Sequence, residues 1–303
     1  MGVFTDKYFV FIVSAGRTGT KFFGDLLARM VDDSFSAHEP DVLMDFKFKS
    51  FRQVKQFGLY QLAWGKLLGK TGIRNLSQNY LAKKLDRPQL VAALIKHREK
   101  YYHDIDQELI FEAYSGWFGA IEGIQSVYKN YRVVGVSRDP RDWVKSNMDW
   151  GTMYGKRDWI GRLKLGRLNP QMIKDAAYAK EWARFNRFQK LCWAWKTIYE
   201  TMLDAMADDP NAIIIKFEDI FRSAEKYTHL NNLLNFVTKF PDRVFGYQVP
   251  ENILERRLNV NIADEFPQWE RWDRQMKTDL RRICGEPAIR LGYDLNTSSN
   301  NAL

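Results

Sequence analysis

Short apolar runs alternate with helix-spaced apolar residues along this chain, the order expected of strands followed by helices. The run Tyr8 to Val13 is continuously apolar, and the apolar residues of Phe22 to Val31 recur every three or four positions. A second largely apolar run, Arg132 to Ser137, precedes Asp139 and Pro140, which suit the cap and first position of a helix. Continuous apolar runs are typical of parallel strands buried on both faces. The pattern predicts a three-layer α/β domain with a central parallel sheet.

The composition favours one domain. The chain has 303 residues, of which 45% are hydrophobic and 15% aromatic, enough for a large core. No stretch rich in Pro, Gly or Ser divides it, so we expect a single domain over residues 1–303. Cys192 and Cys284 are its two cysteines, which predicts a reduced protein without a disulfide framework. No window of about eighteen apolar residues occurs, so we expect no membrane span and a cytoplasmic location.

The most informative segment is the turn between the first predicted strand and helix, residues 14–21, Ser-Ala-Gly-Arg-Thr-Gly-Thr-Lys. The first N–H groups of a helix lack partners within it and the helix dipole adds positive charge, so such a turn can hold an anion. The nucleoside triphosphate pattern requires a lysine directly after its second glycine. Here Thr20 follows Gly19, Lys21 comes one position late, and Ser14 replaces the pattern's first glycine. The turn therefore predicts a different anion site, with a plain Gly/Thr turn as the alternative.

A second strand-to-helix turn carries an arginine where ligands meet α/β sheets. Arg138 follows the run that ends at Ser137, and Ser146 comes two turns into the next helix. Ligands of open α/β sheets bind beyond the carboxyl ends of the strands, so Arg138 is well placed to meet an anion. The alternative is that Arg138 and Arg141 only pair with neighbouring aspartates at the surface.

The two turns together resemble the donor-binding motifs of sulfotransferases, which use 3′-phosphoadenosine 5′-phosphosulfate. In that family a loop with the order basic, Ser/Thr, Gly, Thr holds the 5′-phosphosulfate, and Arg and Ser at the spacing of Arg138 and Ser146 hold the 3′-phosphate. Segments 212–220 and 267–293 also resemble the family's late strand and C-terminal end. The resemblance implies a P-loop-containing nucleotide hydrolase-like sulfotransferase fold and adenosine 3′,5′-bisphosphate as product. Helical insertions, about 42–108 and 149–190, match nothing in the family and are expected to form the acceptor site.

The resemblance assigns the donor site residue by residue. Arg17 corresponds to the family's catalytic lysine and would neutralise charge on the bridging oxygen and sulfuryl group. Lys21 either assists or only caps surface charge. Arg256 and Arg257 are the nearest match to a basic segment that the family adds at the 3′-phosphate, although its usual Arg-Lys-Gly wording is absent. The predicted donor-binding residues are Ser14, Gly16, Arg17, Thr18, Gly19, Thr20, Lys21, Arg138, Ser146, Arg256 and Arg257.

Sulfuryl transfer to a hydroxyl also needs a base, and two candidates follow the predicted second strand, Ser34 to Ala37. His38 and Glu39 come directly after that run, before Pro40 ends it. Both should therefore lie at the same sheet edge as the anion-binding turn. Side chains alternate along a strand, so only one of the two is expected to reach the acceptor. We predict Glu39 as the base, in line with carbohydrate and protein-tyrosine sulfotransferases, and keep His38 as the alternative.

The net charge of +9 raises the question of an anionic partner. Residues 151–190 contain ten basic and three acidic residues, interleaved with Trp159, Trp182, Phe185 and Phe188. Such a pattern could serve nucleic acid, but helical spacing of the later aromatic residues indicates a core face. We expect no nucleic acid, and a hydroxyl acceptor that could be acidic.

Two rival functions remain open at this point. A P-loop nucleotide or small-molecule kinase would need magnesium and the lysine that this loop has displaced. A basic nucleic-acid-binding module would need neither. His97 and His103 lie in a polar stretch and are expected to be solvated, and no His/Cys/carboxylate cluster has ligand spacing, so we predict no metal.

Overall fold

The computed structural model describes residues 2–42, 48–155, 158, 167–255 and 265–296, with the side chains of 48–50 left out. Within these ranges five strands form one sheet, in the order β2-β3-β1-β4-β5, and every neighbouring pair is parallel. The strands are β1 (Tyr8–Ser14), β2 (Ser34–His38), β3 (Leu109–Ala113), β4 (Asn130–Ser137) and β5 (Ala212–Lys216). The predicted central parallel sheet is confirmed.

Helices surround the sheet and fill the segments between its strands. The α-helices are α1 (Val3–Asp6), α2 (Thr20–Leu26), α3 (Phe48–Phe57), α4 (Gly65–Leu67), α5 (Ile73–Leu81), α6 (Arg87–His103), α7 (Ile121–Val127), α8 (Pro140–Trp150), α9 (Pro170–Ile173), α10 (Ala176–Ala179), α11 (Arg187–Met206), α12 (Phe217–Phe221), α13 (Lys226–Thr238) and α14 (Arg274–Arg290). A π-helical turn, Tyr60–Trp64, links α3 to α4, and 3-10 turns cover Leu27–Arg29, Ser115–Gly119, Ile253–Glu255 and Trp269–Arg271. None of the described helices is both long enough and apolar enough to cross a lipid bilayer.

The central strand β1 shows why the sheet is covered on both faces. All seven of its residues are buried, and successive side chains point to opposite faces. Phe9, Phe11 and Val13 join the core formed with α6, α7, α8, α11 and α14. Tyr8, Val10 and Ile12 join the core formed with α2 and α13. The three-layer α/β/α prediction is therefore confirmed.

The strand order creates a crevice at one point of the carboxyl edge. From β1 the chain runs past β3 to β2, which is one edge strand of the sheet. From β3 it runs in the opposite direction, past β1, to β4. Where neighbouring strands diverge in this way, the loops after them separate and leave room for a ligand. The carboxyl ends are level there, because Ala113 pairs with both Ile12 and His38. The segments after β1, β2 and β3 therefore meet at one place.

Candidate functional site

The turn after β1 adopts a left-handed backbone at three of its positions. Gly16, Arg17 and Gly19 have φ values of 74°, 55° and 78°. Glycine is needed at position 19 for a second reason, because a Cβ there would lie 2.7 Å from the ring of Phe221. Arg17 adopts this conformation without being glycine, which is strained and is often found at binding sites. These residues therefore fix the turn in one backbone conformation.

Residues of the second turn donate hydrogen bonds to two carbonyl groups of this loop. The indole Nε1 of Trp143 donates to the Gly16 carbonyl at 2.8 Å, and Arg138 Nη1 donates to the Arg17 carbonyl at 2.6 Å. Arg17 Nε in turn donates to Ser146 Oγ at 3.4 Å. The two segments singled out in the sequence therefore contact each other directly, and both main-chain and side-chain atoms of Arg17 are positioned by the second.

Hydrogen-bond donors on the other side of the loop have no partner in the described part of the chain. The N–H groups of residues 18–22 donate no hydrogen bond to any described residue, as expected at a helix start. The Thr18 hydroxyl is fully buried and also lacks a partner there. Buried polar atoms without partners are rare and costly, so they indicate a missing ligand or water. The orphaned Thr18 hydroxyl and the adjacent N–H groups fit an anionic phosphate or sulfate group.

The other predicted loop residues divide into two kinds. Ser14 is fully buried and its Oγ accepts from the Gly16 N–H at 3.0 Å, so it shapes the turn. Thr20 is buried at the start of α2. Lys21 pairs with Asp25 one turn along the same helix at 2.5 Å, with both side chains about two-fifths exposed. In this structure Lys21 contacts the surface carboxylate, which matches its alternative role.

Arg138 occupies an enclosed position beside an aromatic ring. Its guanidinium lies 4.7 Å from the centre of the Phe217 ring, and its Nε has no hydrogen-bond partner among the described residues. Burial lowers the pKa of this guanidinium, and neighbouring Arg222 adds to that effect against the opposing carboxylates. Arginine nevertheless stays charged at neutral pH. A positive charge held against burial and a second arginine favours an anionic ligand.

The alternative of purely local ion pairs holds for Arg141 only. Arg141 pairs with Asp139 at 2.6 Å, although both side chains are buried rather than at the surface. Asp142 pairs with Arg222, a residue that the sequence analysis did not single out. Arg138 forms no ion pair within the described ranges. Asp139 also caps α8 by accepting from the Arg141 N–H at 2.8 Å, as predicted for the Asp-Pro start.

His38 and Glu39 contact different elements of the structure. A Cβ on Gly24 of α2 would come within 2.7 Å of the His38 backbone, so His38 lies beneath that helix. Burial lowers the pKa of His38, and the charges that act on it include Lys21 and Asp25 of the same helix. Glu39 instead accepts a hydrogen bond from Ser115 Oγ at 3.1 Å.

Ser115 connects Glu39 to the turn after β1. It is the first residue after Tyr114 at the end of β3, and its Cβ lies 3.7 Å from where a Gly16 side chain would begin. Glu39 itself has a positive φ of 45°, so two of the seven non-glycine residues with positive φ in the described ranges are Arg17 and Glu39. The structure thus brings Glu39 to the loop side of the crevice. Its role as base stays a prediction.

Arg74 is a further candidate that sequence reasoning missed. Burial opposes its charge, but Tyr114, Glu39 and Asp41 together raise the pKa of Arg74 above its ordinary value. Its guanidinium forms no hydrogen bond or ion pair with the residues that the structure describes. Arg74 lies in the predicted insertion 42–108 and comes near Glu39 only through the packing of α5 against the 3-10 turn Ser115–Gly119. No local signal in the sequence marks it.

A buried charged cluster lies on the far side of Glu39. Glu112 on β3 accepts from Arg98 Nε at 3.1 Å and Nη2 at 2.6 Å, from Tyr102 at 2.6 Å and from Trp117 at 3.0 Å. The Nη2 atom of Arg98 also lies 3.7 Å from Asp41. All these side chains are buried, and the two carboxylates share the Arg98 cation, with Lys66 Nζ 3.6 Å from Asp41 as a second positive charge.

Asp41 extends this cluster to a histidine. His97 Nε2 lies 3.1 Å from Asp41 Oδ2, and His97 is buried, so the expectation that it is solvated is wrong. Burial alone would raise the pKa of Asp41, but Arg98, His97 and Lys66 outweigh it and hold that pKa far below its usual range. Asp41 is therefore a charged structural group two residues from the predicted base.

Some of the predicted residues lie outside the described part of the chain. Arg256 and Arg257 lie outside the described residues, and Arg222 is the described arginine beside Arg138. Of the aromatic residues considered for stacking on bases, Phe185 and Phe188 are buried in the core. Trp159 also lies outside the described residues. No group of three metal-binding side chains occurs within the described ranges, and the expectation of no metal stays a prediction.

Comparison with known proteins finds similarity at the level of structure. No protein-family profile matches the chain, and no curated protein matches its sequence. The sulfotransferase domain of the curacin biosynthetic pathway is 15% identical, with a TM-score of 0.47 over 95% of this chain and 98% of that one. The sulfotransferase domain of the Synechococcus PCC 7002 olefin synthase is 13% identical, with a TM-score of 0.45 over 96% of each chain. A sulfotransferase from Alicyclobacillus acidocaldarius is 15% identical, with a TM-score of 0.44 over 95% of this chain and 96% of that one.

Proposed function

We propose that this protein transfers a sulfuryl group from 3′-phosphoadenosine 5′-phosphosulfate to an acceptor hydroxyl. The observation that carries the proposal is the turn after β1, where the N–H groups of residues 18–22 and the buried Thr18 hydroxyl lack partners. Arg17 in this turn is tied to both Arg138 and Ser146. The two sequence motifs of a sulfuryl donor site are thereby joined into one surface.

In the donor, the sulfuryl group is joined to the 5′-phosphate by an anhydride bond. The residues of this chain would bind and orient the donor. The N–H groups of residues 18–22 and the Thr18 hydroxyl would hold the 5′-phosphosulfate. Arg138, enclosed against Phe217, and Ser146 would hold the 3′-phosphate, with Arg222 nearby. Bound in this way, the donor would present its sulfur beside the turn after β1.

Arg17 and Glu39 would carry out the two parts of the transfer. As the acceptor oxygen bonds to sulfur, the sulfur–oxygen bond to the leaving phosphate breaks, and Arg17 stabilises the charge on that bridging oxygen. Glu39 takes the proton from the acceptor hydroxyl, and the Ser115 hydroxyl keeps the carboxylate oriented. Burial lowers the pKa of Arg17 but leaves it cationic at neutral pH. The products are a sulfate ester, adenosine 3′,5′-bisphosphate and a proton.

The acceptor side is also positively charged. Arg74, without a described hydrogen-bond partner, lies within electrostatic range of Glu39. A guanidinium in that position suits an acceptor that carries a carboxylate, phosphate or sulfate near its hydroxyl. We therefore propose a hydroxyl acceptor that could be acidic, in a cytoplasmic protein that works without metal or nucleic acid.

Thermal unfolding with nucleotides tests this function against a kinase. Saturating adenosine 3′,5′-bisphosphate should raise the midpoint of wild-type unfolding, whereas magnesium-ATP should raise it less, because ligands that bind only the folded state stabilise it. Arg138→Ala and Ser146→Ala should reduce that rise, and His103→Ala serves as an exposed control. A larger rise with magnesium-ATP would contradict the proposal, as would an absence of labelled product from the labelled donor across glycans, phenols, peptides and lipids.

A further inference from the structure

One surface of the molecule exposes large apolar side chains in a cluster. Nine large hydrophobic residues are exposed in the described ranges, and six of them lie between positions 51 and 68. They are Phe51 (82% exposed), Leu59 (57%), Tyr60 (52%), Trp64 (63%), Leu67 (50%) and Leu68 (62%). Several large apolar side chains exposed within one short segment point to an interaction site. We call this segment, residues 51–70, the outer helical surface.

The outer helical surface is anchored by its opposite side, so its apolar side chains remain outside. Phe57 is buried and stacks on Tyr101 of α6, with ring centres 4.7 Å apart. Lys100 of α6 donates to the Lys55 carbonyl at 2.7 Å, and Gln53 donates to the Pro40 carbonyl at 2.8 Å. The helices are therefore two-sided, with one side docked on the domain and the other presenting apolar groups to the surroundings.

The same part of the sequence carries an excess of positive charge. Residues 46–85 contain nine basic and no acidic residues, and the whole chain has 46 basic and 37 acidic, so the rest has 37 of each and is neutral. The net charge of +9 thus equals the charge of this one segment. Of the seven cations in this segment whose side chains are described, five are exposed, namely Arg52, Lys55, Lys70, Lys83 and Lys84. Three of these, Arg52, Lys55 and Lys70, lie within the outer helical surface itself, among its exposed apolar residues.

From this combination we propose that the outer helical surface binds membranes that contain anionic phospholipid. Helices with aromatic and leucine side chains on one face and Lys or Arg beside them lie in the headgroup region of bilayers. Surface cations are attracted to anionic lipid over about a Debye length. Leu59, Leu67 and Leu68 offer no flat ring on which bases could stack, so nucleic acid fits this face less well. The proposal does not rest on the proposed transfer reaction.

Vesicle sedimentation with the full chain tests the proposal. Wild-type protein should sediment with vesicles made of equal parts phosphatidylglycerol and phosphatidylcholine, more weakly at high salt, and little with phosphatidylcholine alone. The triple variant Phe51→Ser, Trp64→Ser, Leu68→Ser should bind anionic vesicles about tenfold more weakly or worse, because it removes the inserting groups. The matched control, Val244→Ser with Ile289→Ser, removes equally exposed residues elsewhere and should bind like wild type.

Two further readouts make the test decisive. The triple variant should keep the wild-type unfolding midpoint, since its substituted side chains are exposed. Brominated lipid should quench tryptophan fluorescence in wild type and less so in Trp64→Phe. The proposal is overturned if wild type fails to sediment with anionic vesicles, if the triple variant sediments equally well, or if an oligonucleotide or an acidic protein binds this face in place of vesicles.

Discussion

Two polar regions lie at the carboxyl edge of the sheet, and they differ in how many of their groups have partners. In the buried cluster, Glu112 accepts four hydrogen bonds and Arg98 faces two carboxylates, while Arg98 Nη1 and Asp41 Oδ1 have no hydrogen-bond partner among the described residues. In the turn after β1, the Thr18 hydroxyl and a run of N–H groups have no partner in the described part of the chain. Polar groups that pair with one another stabilise the fold, whereas a run of adjacent donors without partners favours a ligand. Both regions contain buried polar side chains, so burial alone does not distinguish a structural polar group from a candidate ligand-binding one.

The largest effect expected from this comparison is on stability, in the buried cluster. Arg98→Met leaves Glu112 and Asp41 buried without their main cation, so the free energy of unfolding should fall by about 3–5 kcal/mol. Urea denaturation followed by circular dichroism measures it. Arg74→Met is the matched control, since Arg74 forms no ion pair with described residues and should cost far less. Equal losses in the two variants would mean that the cluster does not depend on its charges.

The next effect concerns two glutamates at the ends of neighbouring strands. Glu39→Gln should lower kcat by about a hundredfold or more, because the proton acceptor is lost, and leave the unfolding midpoint nearly unchanged. Glu112→Gln should do the reverse and lower the midpoint while the remaining folded enzyme turns over normally. His38→Gln should keep most of the activity. Loss of turnover in His38→Gln with full activity in Glu39→Gln would assign the base to His38.

A smaller effect separates two fully buried hydroxyls. Thr18→Val removes a hydroxyl without a described partner, so stability should hold while affinity for adenosine 3′,5′-bisphosphate falls about five- to tenfold. Ser77→Ala removes the acceptor of the Gly119 N–H, a bond of 2.9 Å, and should cost about 1–3 kcal/mol of stability with unchanged affinity. Calorimetric titration and thermal unfolding measure both. A stability loss in Thr18→Val would show that its hydroxyl is already satisfied in the free protein.

The smallest expected effect is the pH dependence of stability. Burial lowers the pKa of His38 and His97 below the ordinary value of 6.5. The unfolded chain therefore binds more protons than the folded one as pH falls below about 6.5, and stability should decrease there. His97→Gln should flatten this dependence, whereas exposed His103→Gln should leave it unchanged. Thermal unfolding midpoints measured as the pH falls below about 6.5 test this prediction. A rise of the midpoint on acidification would contradict it.

Several features of the fold and site were predictable because they depend on neighbours in sequence. The apolar run of β1, the glycines of its turn and the Asp-Pro start of α8 each rest on local backbone preference. Strand β3 was not predicted, since Glu112 interrupts its apolar run, and its charge is tolerable there because Arg98 and Tyr102 of α6 and Trp117 all donate to it. His97 was expected in solvent for the same reason, because its partner Asp41 lies 56 residues away.

By itself the sequence determined the parallel α/β architecture, the two candidate anion-binding turns and the pair of candidate bases. Only the tertiary structure decided that Arg138 holds the Arg17 carbonyl, that Glu39 accepts a hydrogen bond from Ser115, and that Arg74 lies near Glu39. The physical reason is the distance along the chain over which each kind of interaction acts. Backbone conformation and helix capping act over a few residues, whereas the pairing and orphaning of buried polar groups depend on which distant segments the sheet brings together.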